Sequence, residues 1–226
     1  MHDVFQQARL WSGVMEYTTR ALQGQALKRK TIGAEVLMRK SIHILGAFTL
    51  IAAAYLGLAT IQTLIATILV LYMYSESLRL SGGDLPIFTH ITRYASKEVE
   101  RTSVVTTPIW YALGILLTIS LFPFRNAAIG VLTLTVGDPT ASIIGYTING
   151  SNPYSFNKAK SLNGSLAGSA AALAVCLIVL GPSYALLGCL AGMFVEALPL
   201  PLNDNITIPV SASIASILIE KILLLM

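Results

Sequence analysis

SIHILGAFTLIAAAYLGLATIQTLIATILVLYMYS, residues 41–75, contains no Asp, Glu, Lys or Arg. One membrane helix needs about 20 apolar residues, and at about 1.5 Å per residue a single helix through this stretch would overshoot a hydrocarbon core roughly 30 Å thick. The stretch therefore reads as two spans divided by a turn between Gly57 and Gln62. A second uncharged run, residues 161–195, has the same length and divides in the same way at Gly181, Pro182 and Ser183. The surrounding composition agrees: 54% of residues are hydrophobic and 12% charged, about half the charge of an average soluble domain. The fold class expected is an all-α bundle in lipid.

Working outward, Thr106 to Phe122 supplies a third span, and Pro123 with Arg125 makes a very short connection into a fourth, Asn126 to about Ile144. A polar loop runs to Asn163. The second uncharged run gives spans of about Ser165 to Leu180 and Tyr184 to Leu198, and Ile208 to Leu225 gives the seventh. Before them, Val4, Ala8, Trp11, Met15, Thr18 and Leu22 recur at alternating steps of four and three, the pattern of an amphipathic helix. Such a helix either packs on the others or lies in the membrane interface. The chain thus divides into an interfacial segment, 1–34, and a transmembrane domain, 35–226.

The first forty residues carry several charges and lack a short apolar stretch with a cleavage site, so the first span is expected to stay in the protein. With a cytosolic N-terminus, thirteen of the fifteen Lys and Arg residues fall inside, and only Arg125 and Lys221 fall outside. That orientation leaves the sequons at Asn163 and Asn205 cytosolic and unused. Cys176 and Cys189 lie within the second apolar run and read as small hydrophobes. The net charge of +4 follows from topology: the basic residues flank apolar spans and no nucleic-acid motif accompanies them, so no nucleic-acid partner is expected.

Threading the chain this way brings separate polar groups to the cytosolic face. Arg39, Lys40 and His43 open the first span, Glu76 and Arg79 close the second, Gly137 and Asp138 interrupt the fourth, and Glu196, Asp204 and Asn205 border the last two. Ionisable groups at membrane depth mark function or a buried pair. Asp138, between a glycine and Pro139, predicts a helix broken at depth and a polar cavity; the alternative is a structural carboxylate paired with Arg39 or Arg79. The loop with Lys158, Lys160, Ser161, Gly164 and Ser165 leads into a helix N-terminus, a place that favours anions. Its lysines serve equally as positive-inside markers, and Gly164 with Gly168 as a packing pair. His43 follows Arg39 by four residues and shares its helix face, and Glu76 with Arg79 fits a helical ion pair. No Walker A loop, protein-kinase signature or G-x-S-x-G elbow is present.

Five segments in order, Arg39-Lys-Ser-Ile-His43, Ser75-Glu-Ser-Leu-Arg79, Gly137-Asp-Pro-Thr-Ala-Ser-Ile-Ile-Gly145, Lys160-Ser-Leu-Asn-Gly-Ser165 and Asp204-Asn-Ile-Thr-Ile-Pro209, resemble motifs of the dolichol kinase, phytol kinase and CTP-dependent diacylglycerol kinase family, from about Glu35 to Pro209. The family often has two adjacent lysines and an acidic residue in the loop, where this chain has Ala159 beside Lys160 and Asn163 before Gly164. The resemblance implies transfer of the γ-phosphoryl group of CTP to the hydroxyl of a membrane lipid alcohol at the cytosolic side of a multi-pass protein.

On that reading Arg39, Lys40, Lys158 and Lys160 hold the triphosphate, with His43, Gly137, Ser161, Gly164, Ser165 and Asn205 in the nucleotide site and Glu76 and Arg79 supporting it. Asp138, with Glu196 or Asp204, holds Mg2+ or another divalent cation, or Asp138 accepts the hydroxyl proton. A polyprenol or dolichol is the favoured acceptor, with phytol, geranylgeraniol or diacylglycerol as alternatives. A cytidylyltransferase forming a CDP-lipid and a non-enzymatic transporter are the other two classes.

Overall fold

The computed structural model describes residues 34–95, 103–148 and 152–225. The expected amphipathic helix from Val4 to Leu22 lies outside them. Regular structure among the described residues is helical, apart from a single antiparallel bridge between Pro153 and Ser161. Among the described residues five helical segments are long and apolar enough to cross a membrane: Val36–Leu56, Leu58–Leu80, Phe124–Thr147, Leu162–Leu180 and Asp204–Leu225. Thr107–Leu121 and Ala185–Ala197 are apolar but shorter.

The first span is built from α1 (Ala34–Leu45) and α2 (Phe48–Leu56), joined by a turn at Gly46 and Ala47. A Cβ on Gly46 would collide with the Tyr111 hydroxyl, so glycine permits that close approach. Gly57, at φ 88, reverses the chain into α3 (Leu58–Leu80), and Gly181, at φ 82, does the same between α8 (Leu162–Leu180) and α9 (Pro182–Ala197). Both lie where the uncharged runs were expected to divide, because a positive φ costs glycine little. The remaining helices are α4 (Pro86–Ala95), α5 (Thr107–Leu121), α6 (Phe124–Leu132), α7 (Asp138–Thr147) and α10 (Asp204–Leu225).

The predicted break at Asp138 does not occur. Pro139 has no N–H for the carbonyl four residues back, and an α-helix would lose that bond. Instead a π-helical stretch, Thr133–Gly137, joins α6 to α7, and the Asp138 N–H reaches the Thr133 carbonyl five residues back. Gly137 and Asp138 keep helical angles, φ −65 and −60. The wider turn absorbs the proline within one continuous span, and such turns are frequent at functional sites.

That span is the centre of the bundle. Its most apolar window is 72% buried, against 17–28% for the other four long helices. Around it, Ala127, Val131, Leu134, Ala172, Cys176, Cys189 and Ile208 form a fully buried core. Small residues set the helix crossings: a Cβ on Gly168 would meet Met193 Cε at 2.6 Å and the Gly137 carbonyl at 2.7 Å. Close backbone approach of this kind is how helices associate where water gives no hydrophobic drive. Outside, large apolar side chains such as Tyr55, Val70, Ile178 and Phe194 are exposed along the helices, the surface a lipid solvent would cover.

Candidate functional site

Helix α1 packs on the π stretch and on α7, which carries its basic residues to the central carboxylate. Lys40 Nζ lies 2.8 Å from Asp138 Oδ2, and His43 Nδ1 lies 3.6 Å from the same oxygen. Asp138 is 5% exposed. Its partner is therefore Lys40, and neither Arg39 nor Arg79. The His43 ring stacks on Tyr111 with centroids 4.2 Å apart, and the Tyr111 hydroxyl donates to the His43 carbonyl at 2.5 Å. His43 Nδ1 and Arg39 Nε are buried with no hydrogen-bond partner.

Residues 152–161 form a tight loop over the ends of α8 and α9. The Tyr154 N–H donates to the Lys160 carbonyl at 3.1 Å, and Asn157 Nδ2 donates to the Ala197 carbonyl at 3.1 Å. This places Lys160 Nζ 2.6 Å from Glu196 Oε1 and 2.7 Å from Asp204 Oδ2. Burial alone would lower the affinity of Lys160 for its proton. The carboxylates of Glu196, Asp204 and Asp138 outweigh it and hold the ammonium above the ordinary lysine range.

Ser161 caps α8, its Oγ accepting from the Gly164 N–H at 3.2 Å, and Ser165 Oγ donates to Glu196 Oε2 at 3.2 Å. The Leu162 and Ser165 amides are bonded to the Asn152 and Ser161 carbonyls. The expected row of free amides for an anion is thus mostly used within the chain, while the helix dipole remains.

Two adjoining cavities meet at these side chains. The larger, about 460 Å3, lies under the loop and takes Arg39, Lys40, Lys158, Lys160, Ser161, Gly164, Ser165 and Glu196 into its wall. The second, about 240 Å3, holds His43, Asp138, Asp204 and Asn205. Arg39, Lys40, Ser142 and Lys160 line both. Four cations, Arg39, Lys40, Lys158 and Lys160, thus face three carboxylates, an excess of positive charge suited to an anion.

Three expected site residues stand apart from this wall. Gly137 is a packing residue: a Cβ there would meet Met193 Sδ at 2.7 Å. Glu76 and Arg79 pair at 2.8 Å, and each also grips the segment before α5, Glu76 accepting from the Val105 N–H at 2.9 Å and Arg79 donating to the Ser103 carbonyl at 2.7 Å. They fasten the chain that borders the site. Asp138, Glu196 and Asp204, the residues expected to offer oxygens to a cation, are each engaged by a lysine, and among the described residues no group of three or more His, Cys, Asp and Glu is placed to hold a metal. Lys160 sits between Glu196 and Asp204, and Ser165 takes the second Glu196 oxygen. The donors fit a cation that arrives with phosphate oxygens and needs one or two carboxylates, not a resident ion in a protein cage.

Ser142, Thr107 and Tyr111 were not foreseen. Ser142 follows Asp138 by four residues and so shares its helix face, a signal present in the sequence. Nothing local marks Thr107 or Tyr111, whose position depends on the packing of α5. Comparison with family models, with curated proteins and with solved structures finds no match for the chain.

Proposed function

We propose that the chain is a CTP-dependent kinase of membrane lipid alcohols, with a polyprenol or dolichol as the favoured acceptor. The observation that carries this reading is the gathering of four separate resembling segments, at Arg39 to His43, Asp138, Lys160 to Ser165 and Asp204, around two adjoining cavities with excess positive charge. Phosphoryl transfer asks mainly for alignment and for charge stabilisation on phosphate oxygens.

The triphosphate occupies the larger cavity. Arg39 and Lys158 make the first phosphate contacts, because Lys40 and Lys160 are already matched to carboxylates and reach the phosphates while keeping those partners. The lipid hydroxyl approaches beside Asp138. Its oxygen forms a bond to the γ-phosphorus as the bond to the bridging β-oxygen breaks, its proton passes to Asp138, and CDP leaves. A Mg2+ ion carried on the nucleotide, with Asp204 as a protein ligand, would supply further neutralisation of the phosphate charge.

The seven-span arrangement belongs to the same proposal, the two shorter apolar helices completing the five long ones. A cytosolic N-terminus then places both cavities on the cytosolic side, where a nucleotide can meet an alcohol anchored in the bilayer.

Membranes containing the chain are given CTP labelled on either phosphate, with a prenol acceptor. Label from the γ-position should enter the lipid, and label from the α-position should not. Recovery of α-label in the lipid would make the protein a cytidylyltransferase. Absence of either label from every alcohol offered would remove the enzyme reading and favour a transporter.

A further inference from the structure

A third cavity, about 180 Å3, lies behind His43 between α1, α3, α4 and α5. Its wall is almost entirely hydrocarbon, from Ile42, Tyr72, Phe88, Val105, Pro108 and Tyr111 with Thr92 among them, and on one side it shares Arg39, His43 and Thr107 with the cavity that contains Asp138. The polar tips of its aromatic residues are used elsewhere: the Tyr72 hydroxyl donates to the Val105 carbonyl at 2.9 Å, and the Tyr111 hydroxyl to the His43 carbonyl. Among the wall residues, Arg39 Nε, Thr92 Oγ1 and His43 Nδ1 have no hydrogen-bond partner, and two of the three, Arg39 Nε and His43 Nδ1, belong to the shared side, where His43 Nδ1 lies 3.6 Å from Asp138 Oδ2. His43 is 5% exposed. Buried polar atoms normally have partners, and those that lack them mark a place for a ligand or water.

We propose that this cavity receives the hydrocarbon next to the hydroxyl of the acceptor lipid, and that it selects an alcohol with a purely hydrocarbon head end over a diacylglycerol. The proposal rests on the kinase reading for its reaction but not for its binding. An apolar cavity of about 150 Å3 takes benzene, so this one takes about seven carbons. A prenol presents only hydrocarbon over that distance, with its hydroxyl at the wall beside Asp138. A diacylglycerol carries ester groups within three bonds of its hydroxyl, and two ester groups would enter a nearly all-hydrocarbon cavity whose wall beyond the shared side offers them only the Thr92 hydroxyl, which is unfavourable. The rest of either lipid stays in the bilayer.

Two measurements on the full chain in proteoliposomes test this. A C20 prenol bearing a diazirine in its first isoprene unit should, on photolysis, label peptides containing Ile42, Phe88 or Val105, and excess unlabelled prenol should compete. Ile42→Phe, which fills the cavity, should reduce that labelling and the γ-phosphoryl transfer to prenol by at least tenfold, with the CTP dependence within twofold of wild type. Phe88→Ala, which enlarges it, should keep the labelling and guards against misfolding of the filled variant. Wild type should prefer prenol to dioctanoylglycerol by tenfold or more.

Labelling confined to outward residues such as Ile178 would overturn the proposal, as would equal transfer to the two alcohols. If the diazirine labels the cavity but no phosphate from CTP reaches any alcohol, the kinase reading fails and the alcohol site stands. If phosphate is transferred while Ile42→Phe changes neither measurement, the kinase reading stands and the cavity proposal fails.

Discussion

Asp138 and Lys40 form a pair that neither residue can leave without consequence. Both are well shielded, with side-chain exposures of 7% and 15%, and they meet at 2.8 Å. Removing one partner of a buried pair leaves the other charge uncompensated, which costs about 3 kcal/mol or more. Lys40→Ala should therefore lower stability by about that amount, while Lys40→Ala combined with Asp138→Asn recovers much of it. Thermal unfolding of the purified variants in detergent checks this, and additive losses would show that the two charges are not coupled. Asp138→Asn alone keeps the shape and should cut phosphoryl transfer by about a hundredfold, within the range a positioned acid or base contributes. Near-normal transfer by that variant would return Asp138 to a purely structural role.

At the scale of elements, the site depends on two close approaches. Helices α7 and α8 meet at small residues, and a Cβ on Gly164 would lie 2.6 Å from the Ala141 carbonyl and 2.9 Å from Ser161 Oγ. The Ala141 carbonyl is backbone and Ser161 Oγ is held by its cap on the Gly164 N–H, so the helices must separate to admit one. Gly164→Ala should then destabilise the protein by about 1–3 kcal/mol, as overpacking does, and shift the loop carrying Lys160 and its cap. A rise in KM for CTP with little change in kcat would report that shift; an unchanged melting temperature would show that the crossing yields freely. The other approach is the latch from Glu76 and Arg79 to residues 103–105. It is built on α3, away from the charged cavities, but holds Val105 in the wall of the apolar one.

The bundle presents its charged cavities at one end, lined by α1 and α7, by the starts of α5, α8 and α10 and by the end of α9. The alternating arrangement proposed above can be read with single cysteines. Cys176 and Cys189 are fully buried and should stay silent toward a membrane-impermeant thiol reagent. Ser155→Cys, in the exposed loop, should react only from the cytosolic side. Thr60→Cys, exposed near the opposite turn, should react only from the other. Asn126, where the fourth span was expected to begin, would not serve for this because it is buried against Ser216 and Glu220. Reaction of both cysteines from one side would refute the alternating topology.

Apolar length, glycine turns and the placement of charge fixed the helical class and the divisions at Gly57 and Gly181 before any packing was known, because they depend on local conformational cost and on the thickness of a bilayer. Proximity in sequence also made Arg39 and His43, or Lys158 and Lys160, candidates for one site. What the chain could not settle alone was which partner each charge takes. Asp138 joins Lys40, 98 residues away, and Lys160 joins Glu196 and Asp204 instead of standing free. The helix at Pro139 continues because a π turn can be packed at the centre of a bundle, and buried Glu76 with Arg79 holds residues 103–105. These are decisions of tertiary structure: a buried charge is stabilised by whichever opposite group the packed helices bring within about 3 Å, and that distance exists only once the helices have crossed.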